Sequence, residues 1–457
     1  MKQVIPSDEV VFHPLSFQDE AGRLFQWRGE LYRGVSVQSA PFLRGFFENG
    51  AGRELIAAGL VIPTETTPFA LDGFDLVLHH RRLPFASYPF EWCPAMFKAG
   101  CLTIIELAIA LSRYRLTLKD AHPWNVLFDG CRPVWIDVTS IVPANDEAGW
   151  VAANEFYDEC LYPLLLTGQG RDKLARALIA ANNVVERRDL ELLGGSTSLL
   201  FDLMSTAISH FPHQPRRVVE KVMRRVRSSF RLPARLRSSS LEEMKGALEK
   251  IKVPFEEPRK LHNIGTLSDD WGEKRRRVHQ ILQEKKPRTV LEIASGDGWF
   301  SALAASLGSD VVAFDTDPDA VGRLFAHACA CKQSLLPLVM DFTRPTAARG
   351  LSDHSHVSAT ERFACDMVLL LAFLHDLVFR YRRLGLDQIV DGLALFSKRW
   401  AIVEFIPPDD PEIGALWSDW FETYTLDNLK NSLHRHFATI EVWPSDRPGR
   451  VLLSCQR

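Results

Sequence analysis

The run Thr289-Val290-Leu291-Glu292-Ile293-Ala294-Ser295-Gly296-Asp297-Gly298-Trp299-Phe300 settles more of the fold than any other stretch of the chain. A short apolar segment reads as a buried strand. It carries an acid near its end and turns through small residues into a helix. Small side chains let the backbone lie close against a ligand, and glycine takes turn angles that other residues resist. The helix start leaves free N–H groups for an anionic group. Glu292 adds a carboxylate that can meet a positively charged moiety.

The flanking sequence repeats the pattern. Strands are expected at Thr289–Ile293, Asp310–Asp315, Leu335–Asp341, Cys365–Leu371 and Trp400–Phe405. Helices are expected between them, near Trp299–Leu307, Pro318–Ala330 and Leu386–Phe396, with another at Leu426–Phe437. Short apolar runs spaced by helical periods predict a parallel, doubly wound α/β sheet. Thr439–Trp443 and Val451–Cys455 flank the turn Asp446-Arg447-Pro448-Gly449 and predict an antiparallel hairpin beside it. The second strand ends on Asp315, 23 residues after Glu292, and the third on Asp341. Three successive strands ending in carboxylates place those acids at one sheet edge, where ligands of such sheets bind.

With its acid-x-small-x-Gly-x-Gly motif, Glu292 to Gly298, this part of the chain resembles the class I S-adenosylmethionine-dependent methyltransferases. The resemblance implies a Rossmann-like, seven-stranded sheet over residues 255–457, with S-adenosylmethionine as cofactor. Glu292 and the turn Ala294, Ser295, Gly296, Asp297 and Gly298 would hold its methionine part, Asp315 the ribose and Asp341 the adenine. Ala294 stands where the family usually has its first glycine. Nicotinamide dehydrogenases use a related turn, but the later Glu404 strand and the hairpin suit a methyltransferase better. In similar methyltransferases a histidine just past the fourth strand lies over the active site. His375, in Asp366-Met367-Val368-Leu369-Leu370-Leu371-Ala372-Phe373-Leu374-His375-Asp376-Leu377, is therefore the expected base, with Asp376 beside it to orient it. A histidine there serves equally well as a structural helix residue. Glu404 is the second candidate, facing the same cleft.

In residues 1–145, Lys119-Asp120-Ala121-His122-Pro123-Trp124-Asn125, then Val134-Trp135-Ile136-Asp137, resembles the catalytic segment of a kinase-like fold. Asp120 and Asn125 have the spacing of a catalytic Asp and a metal-binding Asn, and Asp137 stands where the second metal-binding Asp would be. The pattern departs elsewhere. No lysine occurs between Lys2 and Lys98, and no Gly-x-Gly-x-x-Gly loop precedes the segment. Arg28 or Arg33 would have to take the phosphate-gripping role, for which arginine is not equivalent. The reading is a degenerate kinase-like α+β domain, with an active phosphotransferase as the alternative. Residues 146–250 read as a helical extension with a basic run from Arg216 to Arg237. Such a run is a solvated face or an anion site; without interleaved aromatics, nucleic acid is not the expected partner. The arrangement as a whole resembles a bacterial two-part family, a rhizobial nodulation protein among its members, which implies a role in host-specific nodulation.

Composition bounds the rest. A chain of 457 residues, 46% hydrophobic with a formal net charge of −3, has room for two or three soluble domains and no global field toward nucleic acid or membrane. The eight cysteines include no C-x-x-C pair, so no metal site is expected and reduced thiols in a cytoplasmic protein are. The expected partner is a small-molecule or saccharide methyl acceptor. A protein that binds S-adenosylmethionine without turnover is the alternative. Oligomeric state leaves no readable trace.

Overall fold

The computed structural model describes residues 3–13, 16, 19–48, 50–145, 150–181, 185, 238–261, 264–265, 271–350, 356–381, 384–414 and 422–457. The basic run at 216–237 lies outside these residues.

The N-terminal half opens with a five-stranded antiparallel sheet. Its strands are β1 (Val11–Phe12), β2 (Gly22–Trp27), β3 (Glu30–Val35), β4 (Thr64–Thr66) and β5 (Leu76–His80), in the order β1-β2-β3-β5-β4. Alternate residues of β2 and β3 bring Phe25, Trp27 and Tyr32 to one face, where they pack with Phe69 and Ile5 in a small aromatic cluster. Helix α1 (Pro94–Ser112) follows. Among the described residues it is the one helix long and apolar enough to cross a membrane, and 72% of that apolar window is buried within the protein. A helix apolar on all sides belongs in the middle of a packed core. Its one buried charge, Lys98, donates to the carbonyls of Glu249 (2.9 Å) and Ile251 (2.6 Å) and to Glu256 Oε2 (2.7 Å). It thereby holds the C-terminal end of α2 (Ser238–Lys250) against α1, the end at which a cation meets the negative pole of the helix dipole. Two short antiparallel pairs complete this half. They join β6 (Leu116–Leu118) to β9 (Ile141–Pro143), and β7 (Val126–Asp129) to β8 (Arg132–Trp135).

The C-terminal half is a seven-stranded mixed sheet. Its strands are β10 (Thr289–Ile293), β11 (Asp310–Asp315), β12 (Leu335–Val339), β13 (Cys365–Leu370), β14 (Ser397–Phe405), β15 (Thr439–Pro444) and β16 (Val451–Gln456). They run in the order β12-β11-β10-β13-β14-β16-β15, parallel except for β16, which pairs antiparallel with both its neighbours. The near-continuous burial of Val290, Leu291, Ile293, Val311, Val312, Ala313 and Phe314 is that of strands covered on both faces. The covering helices include α3 (Glu273–Lys285), α4 (Trp299–Ser306), α5 (Pro318–Cys331), α6 (Leu386–Phe396) and α7 (Leu426–His434). The third strand stops at Val339, so Asp341 lies two residues past its end instead of on it. The reason is local: Asp341 Oδ1 accepts from its neighbour Thr343, at N (2.8 Å) and at Oγ1 (2.7 Å), and the chain turns there.

One contiguous core runs through both halves. Where they meet, Glu91 (1% exposed) and Arg362 (4% exposed) form a two-pronged ion pair, NH1 to Oε2 at 2.9 Å and NH2 to Oε1 at 2.5 Å. Thr346 Oγ1 donates to the same carboxylate at 2.7 Å, and the Arg362 guanidinium lies 4.0 Å from the centre of the Tyr88 ring.

Candidate functional site

The chain climbs from β10 outward to β12, then crosses back to β13 on the other side of β10. That reversal opens a crevice at the carboxyl ends of β10 and β13, the place where open α/β sheets bind ligands. The turn Ala294–Gly298 leaves β10 there. Ala294 (φ +55°), Gly296 (φ +52°) and Gly298 (φ +72°) all adopt left-handed backbone. The non-glycine Ala294 holds that conformation at a cost of roughly 1–2 kcal/mol. Ser295 N donates to Phe314 O (2.9 Å) and Gly298 N to Ser295 O (2.7 Å), which fixes the loop. A Cβ at Gly298 would stand 2.3 Å from Leu324 Cδ1, whereas one at Gly296 would meet nothing within 4 Å. A side chain at Gly298 would have to displace the Leu324 side chain on α5 as well as hold left-handed backbone, whereas the backbone at Gly296 faces open space.

Asp315, half-buried at the end of β11, bridges the turn. Its Oδ2 accepts from Gly296 N (2.8 Å) and its Oδ1 from Asp317 N (2.9 Å). Asp341 accepts from Thr343 and, at 3.1 Å, from Arg344 Nε. Burial opposes its ionised form, but these donors outweigh burial and hold its carboxyl below the usual range. Asp297 is largely exposed, 4.0 Å from Arg323.

Glu292 does not face the crevice as an open carboxylate. It is 4% exposed and accepts from Ser301 N (2.8 Å) and the Ser301 hydroxyl, so it ties β10 to the first turn of α4. Burial raises its pKa to about 7, against the lowering effect of the Ser301 donors and of the Lys274 charge. A carboxyl whose pKa is raised in the folded state binds a proton there before it does in the unfolded chain. Stability is therefore lost as pH rises from about 4.5 to about 7. Glu292→Gln is expected to remove this loss and to flatten the stability profile across that window, by up to about 3 kcal/mol at pH 8 without cofactor. Urea unfolding of both proteins at pH 5 and pH 8 checks it; equal pH dependence would refute the assignment.

Glu404 is 1% exposed and takes three donors: Lys274 Nζ (2.5 Å), Ala372 N (2.9 Å) and Ser445 Oγ (2.6 Å). It serves as a buried acceptor that joins β14, α3, the turn after β13 and the hairpin. Lys274 was not foreseen from sequence. It pairs with Glu404, its charge is felt at Glu292, and its ammonium lies 5.5 Å from the Phe300 ring centre; in the sequence it is one cation in the run Lys274-Arg275-Arg276-Arg277.

His375 lies in the short helical turn Leu374–Asp376, which runs on into a π-helical turn, Leu377–Tyr381. Such turns often mark functional segments. Its Nε2 is 3.7 Å from Asp376 Oδ1, and its Nδ1 is buried with no hydrogen-bond partner among the described residues. Burial lowers its pKa, outweighing the opposing charges of Asp376 and Glu412. Burial thus favours the neutral form of the ring.

In the N-terminal half, Arg33 and not Arg28 approaches the expected metal-binding acid. Arg28 lies beside Glu9 (3.5 Å). Arg33, 8% exposed on β3, donates to Asp19 Oδ2 (2.6 Å) and Thr139 Oγ1 (3.0 Å) and lies 3.7 Å from Asp137 Oδ1. Asp137 also accepts from Thr139 N and Oγ1. Asn125 Nδ2 lies 3.3 Å from His122 Nε2. Among the described residues no group of three or more His, Cys, Asp or Glu side chains is placed to hold a metal ion.

No family model matches the chain. Among solved structures it overlaps the bifunctional kinase-methyltransferase WbdD (TM-score 0.30, 16% identity, 40% of this chain and 39% of that one). It also overlaps the magnesium protoporphyrin IX methyltransferase ChlM of Synechocystis PCC 6803 with bound SAH (0.27, 15%, 40% and 81%). A third overlap is with the PH0226 protein of Pyrococcus horikoshii OT3 (0.30, 20%, 40% and 90%). The match thus spans about two fifths of the WbdD chain. By sequence the chain is a homologue of the nodulation protein NoeA of Rhizobium meliloti (strain 1021), 26% identical over 467 residues that cover 97% of this chain and 95% of that one.

Proposed function

We propose that the chain is an S-adenosylmethionine-dependent methyltransferase acting on a small-molecule or saccharide acceptor in host-specific nodulation. The observation that carries the reading is the left-handed turn Ala294–Gly298 at the reversal of strand order, latched to Asp315 and open at Gly296. These residues fit the cofactor. Asp315 is the acceptor for the ribose hydroxyls and Asp341 for the adenine amino group. The backbone of Ser295, Gly296, Asp297 and Gly298 borders the methionine part, which Glu292 supports from beneath through Ser301. When bound, the cofactor supplies a methyl group already activated on a sulfonium, so the protein's task is alignment and exclusion of water. His375 Nδ1, buried and unpartnered, takes the acceptor's proton. Glu404, saturated by three donors, keeps Lys274 and the turn after β13 in place. The nodulation role rests on the name of the homologue.

The N-terminal half we read as a degenerate kinase-like module. Asp120, Asn125 and Asp137 keep the template spacing, but Arg33 and Asp19 occupy the surroundings of Asp137 that a metal–phosphate complex would need. Calorimetric titration of the full chain with S-adenosylmethionine, S-adenosylhomocysteine and magnesium–ATP separately tests both readings. Micromolar binding of both sulfur nucleotides and none of ATP is expected. No binding of either sulfur nucleotide would overturn the methyltransferase. Magnesium-dependent ATP binding that Asp137→Ala abolishes would restore the phosphotransferase.

A further inference from the structure

A cleft of about 870 Å³ lies at the opposite, amino-terminal edge of the C-terminal sheet, walled on its other side by the N-terminal half. Thr289 and Asp310, the first residues of β10 and β11, and Asp366 and Lys398, each second in its strand, form one wall. A strand of five residues separates this edge from the Ala294–Gly298 turn by on the order of 15 Å. Neither the turn 294–298 nor Asp137, Asp19 or Arg33 lines the cleft, which is separate from both the proposed cofactor site and the Asp137 centre.

Its charges are unevenly matched. The wall acids already have donors. Asp366 accepts from the backbone N–H of Arg288 (3.0 Å) and of Thr289 (3.3 Å), and Asp310 from Ser334 Oγ (2.6 Å). Glu30 and Glu65 both sit on His79. Of the lining cations, Arg81 is paired with Asp129, but the others have no carboxylate partner among the described residues. Arg82 from the N-terminal half, and Arg288 and Lys398 from the C-terminal half, are exposed and make no ion pair among the described residues. The Arg53 guanidinium donates only to the Glu48 carbonyl. Unpaired cations on two facing walls suit a ligand with two linked anionic groups, and guanidinium forks match phosphoryl oxygens in particular. Ile56, Ala57, Leu83 and Pro84 supply an apolar stretch of the lining for the uncharged remainder. The volume is that of a site for a molecule much larger than a single phosphate.

We infer that this cleft binds a diphosphate-bearing small molecule, bridged by Arg82 on one wall and Arg288 and Lys398 on the other. A free diphosphate and a nucleoside diphosphate sugar share that chemistry. The test is calorimetric titration of the full chain, magnesium omitted, with inorganic pyrophosphate and separately with UDP-glucose. Saturable binding of at least one is expected. It should weaken at least tenfold in Arg82→Gln and in Arg288→Gln and fall as salt is raised. Tighter binding of UDP-glucose would show that the apolar wall takes part, and tighter pyrophosphate that the charges act alone. Both variants are at exposed positions, and unchanged thermal unfolding would show that they remain folded. No saturable binding at millimolar ligand, or equal binding by the folded double variant, would overturn the inference. The outcome is independent of whether S-adenosylmethionine binds.

Discussion

Arg362→Ala is expected to destabilise the protein by about 3–5 kcal/mol, the cost of leaving one member of a buried ion pair without its partner. The arginine is almost wholly enclosed. Besides Glu91, it donates to the carbonyls of Ala86 (2.6 Å) and Val357 (2.9 Å) and stacks on the Tyr88 and Phe363 rings. Once it is gone, Glu91 keeps Thr346 Oγ1 and Tyr88 N as donors but loses its countercharge in a site 1% exposed. Its burial cost is then uncompensated. Arg362→Lys keeps the charge but cannot reproduce the fork, and is expected to fall between the two. The double variant Arg362→Met/Glu91→Leu removes both charges and is expected to recover much of the loss. Denaturant titrations of the four proteins measure these differences. A loss below about 1 kcal/mol for Arg362→Ala would mean that the pair behaves like one in solvent.

The second large effect is on ligand binding. Asp315→Ala is expected to weaken S-adenosylmethionine binding at least a hundredfold, because it removes two kinds of interaction at once. The charge-assisted bonds proposed to the ribose hydroxyls are worth roughly 1.5–3 kcal/mol each. The latch from Gly296 N, which sets the shape of the turn before any ligand arrives, is lost with the same carboxylate. Asp297→Ala is the control. That side chain lies on the same turn but is 83% exposed, and should change stability by no more than about 0.5 kcal/mol. Binding by Asp315→Ala within a few-fold of the wild type would remove Asp315 from the ribose site.

The strands of the C-terminal sheet could be read in the sequence because each is a short apolar run between turn residues, and buried parallel strands leave that signature. The strand ends were less legible. The apolar run up to Met340 places Asp341 at the strand's end, yet a hydrogen bond between near neighbours ends the ladder first. Long-range partners left no trace. Glu404 and Lys274 are 130 residues apart, and Arg362 and Glu91 are 271 apart. Only folding shows that one carboxylate is saturated and that the other pair joins the halves. By sequence Arg28 and Arg33 are equal candidates for a phosphate-gripping cation. The strand pairing of β3 beside β5 brings Arg33, and not Arg28, towards Asp137. Glu292 illustrates the same limit. Its type and place at the end of β10 were plain, but the direction of its carboxylate, toward Ser301, depends on how α4 docks.

The order of strands in the C-terminal sheet also bears on how the protein is made. β16 is threaded between β14 and β15, although it is synthesised after both. A chain that has left the ribosome only as far as Phe405 presents β14 with one side unpaired, along the apolar stretch Ala401-Ile402-Val403. Exposed edges of this kind invite pairing with a neighbouring chain. Nascent chains released before residue 451 should therefore be sticky and quickly degraded, even though the turn that begins at Ala294 is already complete.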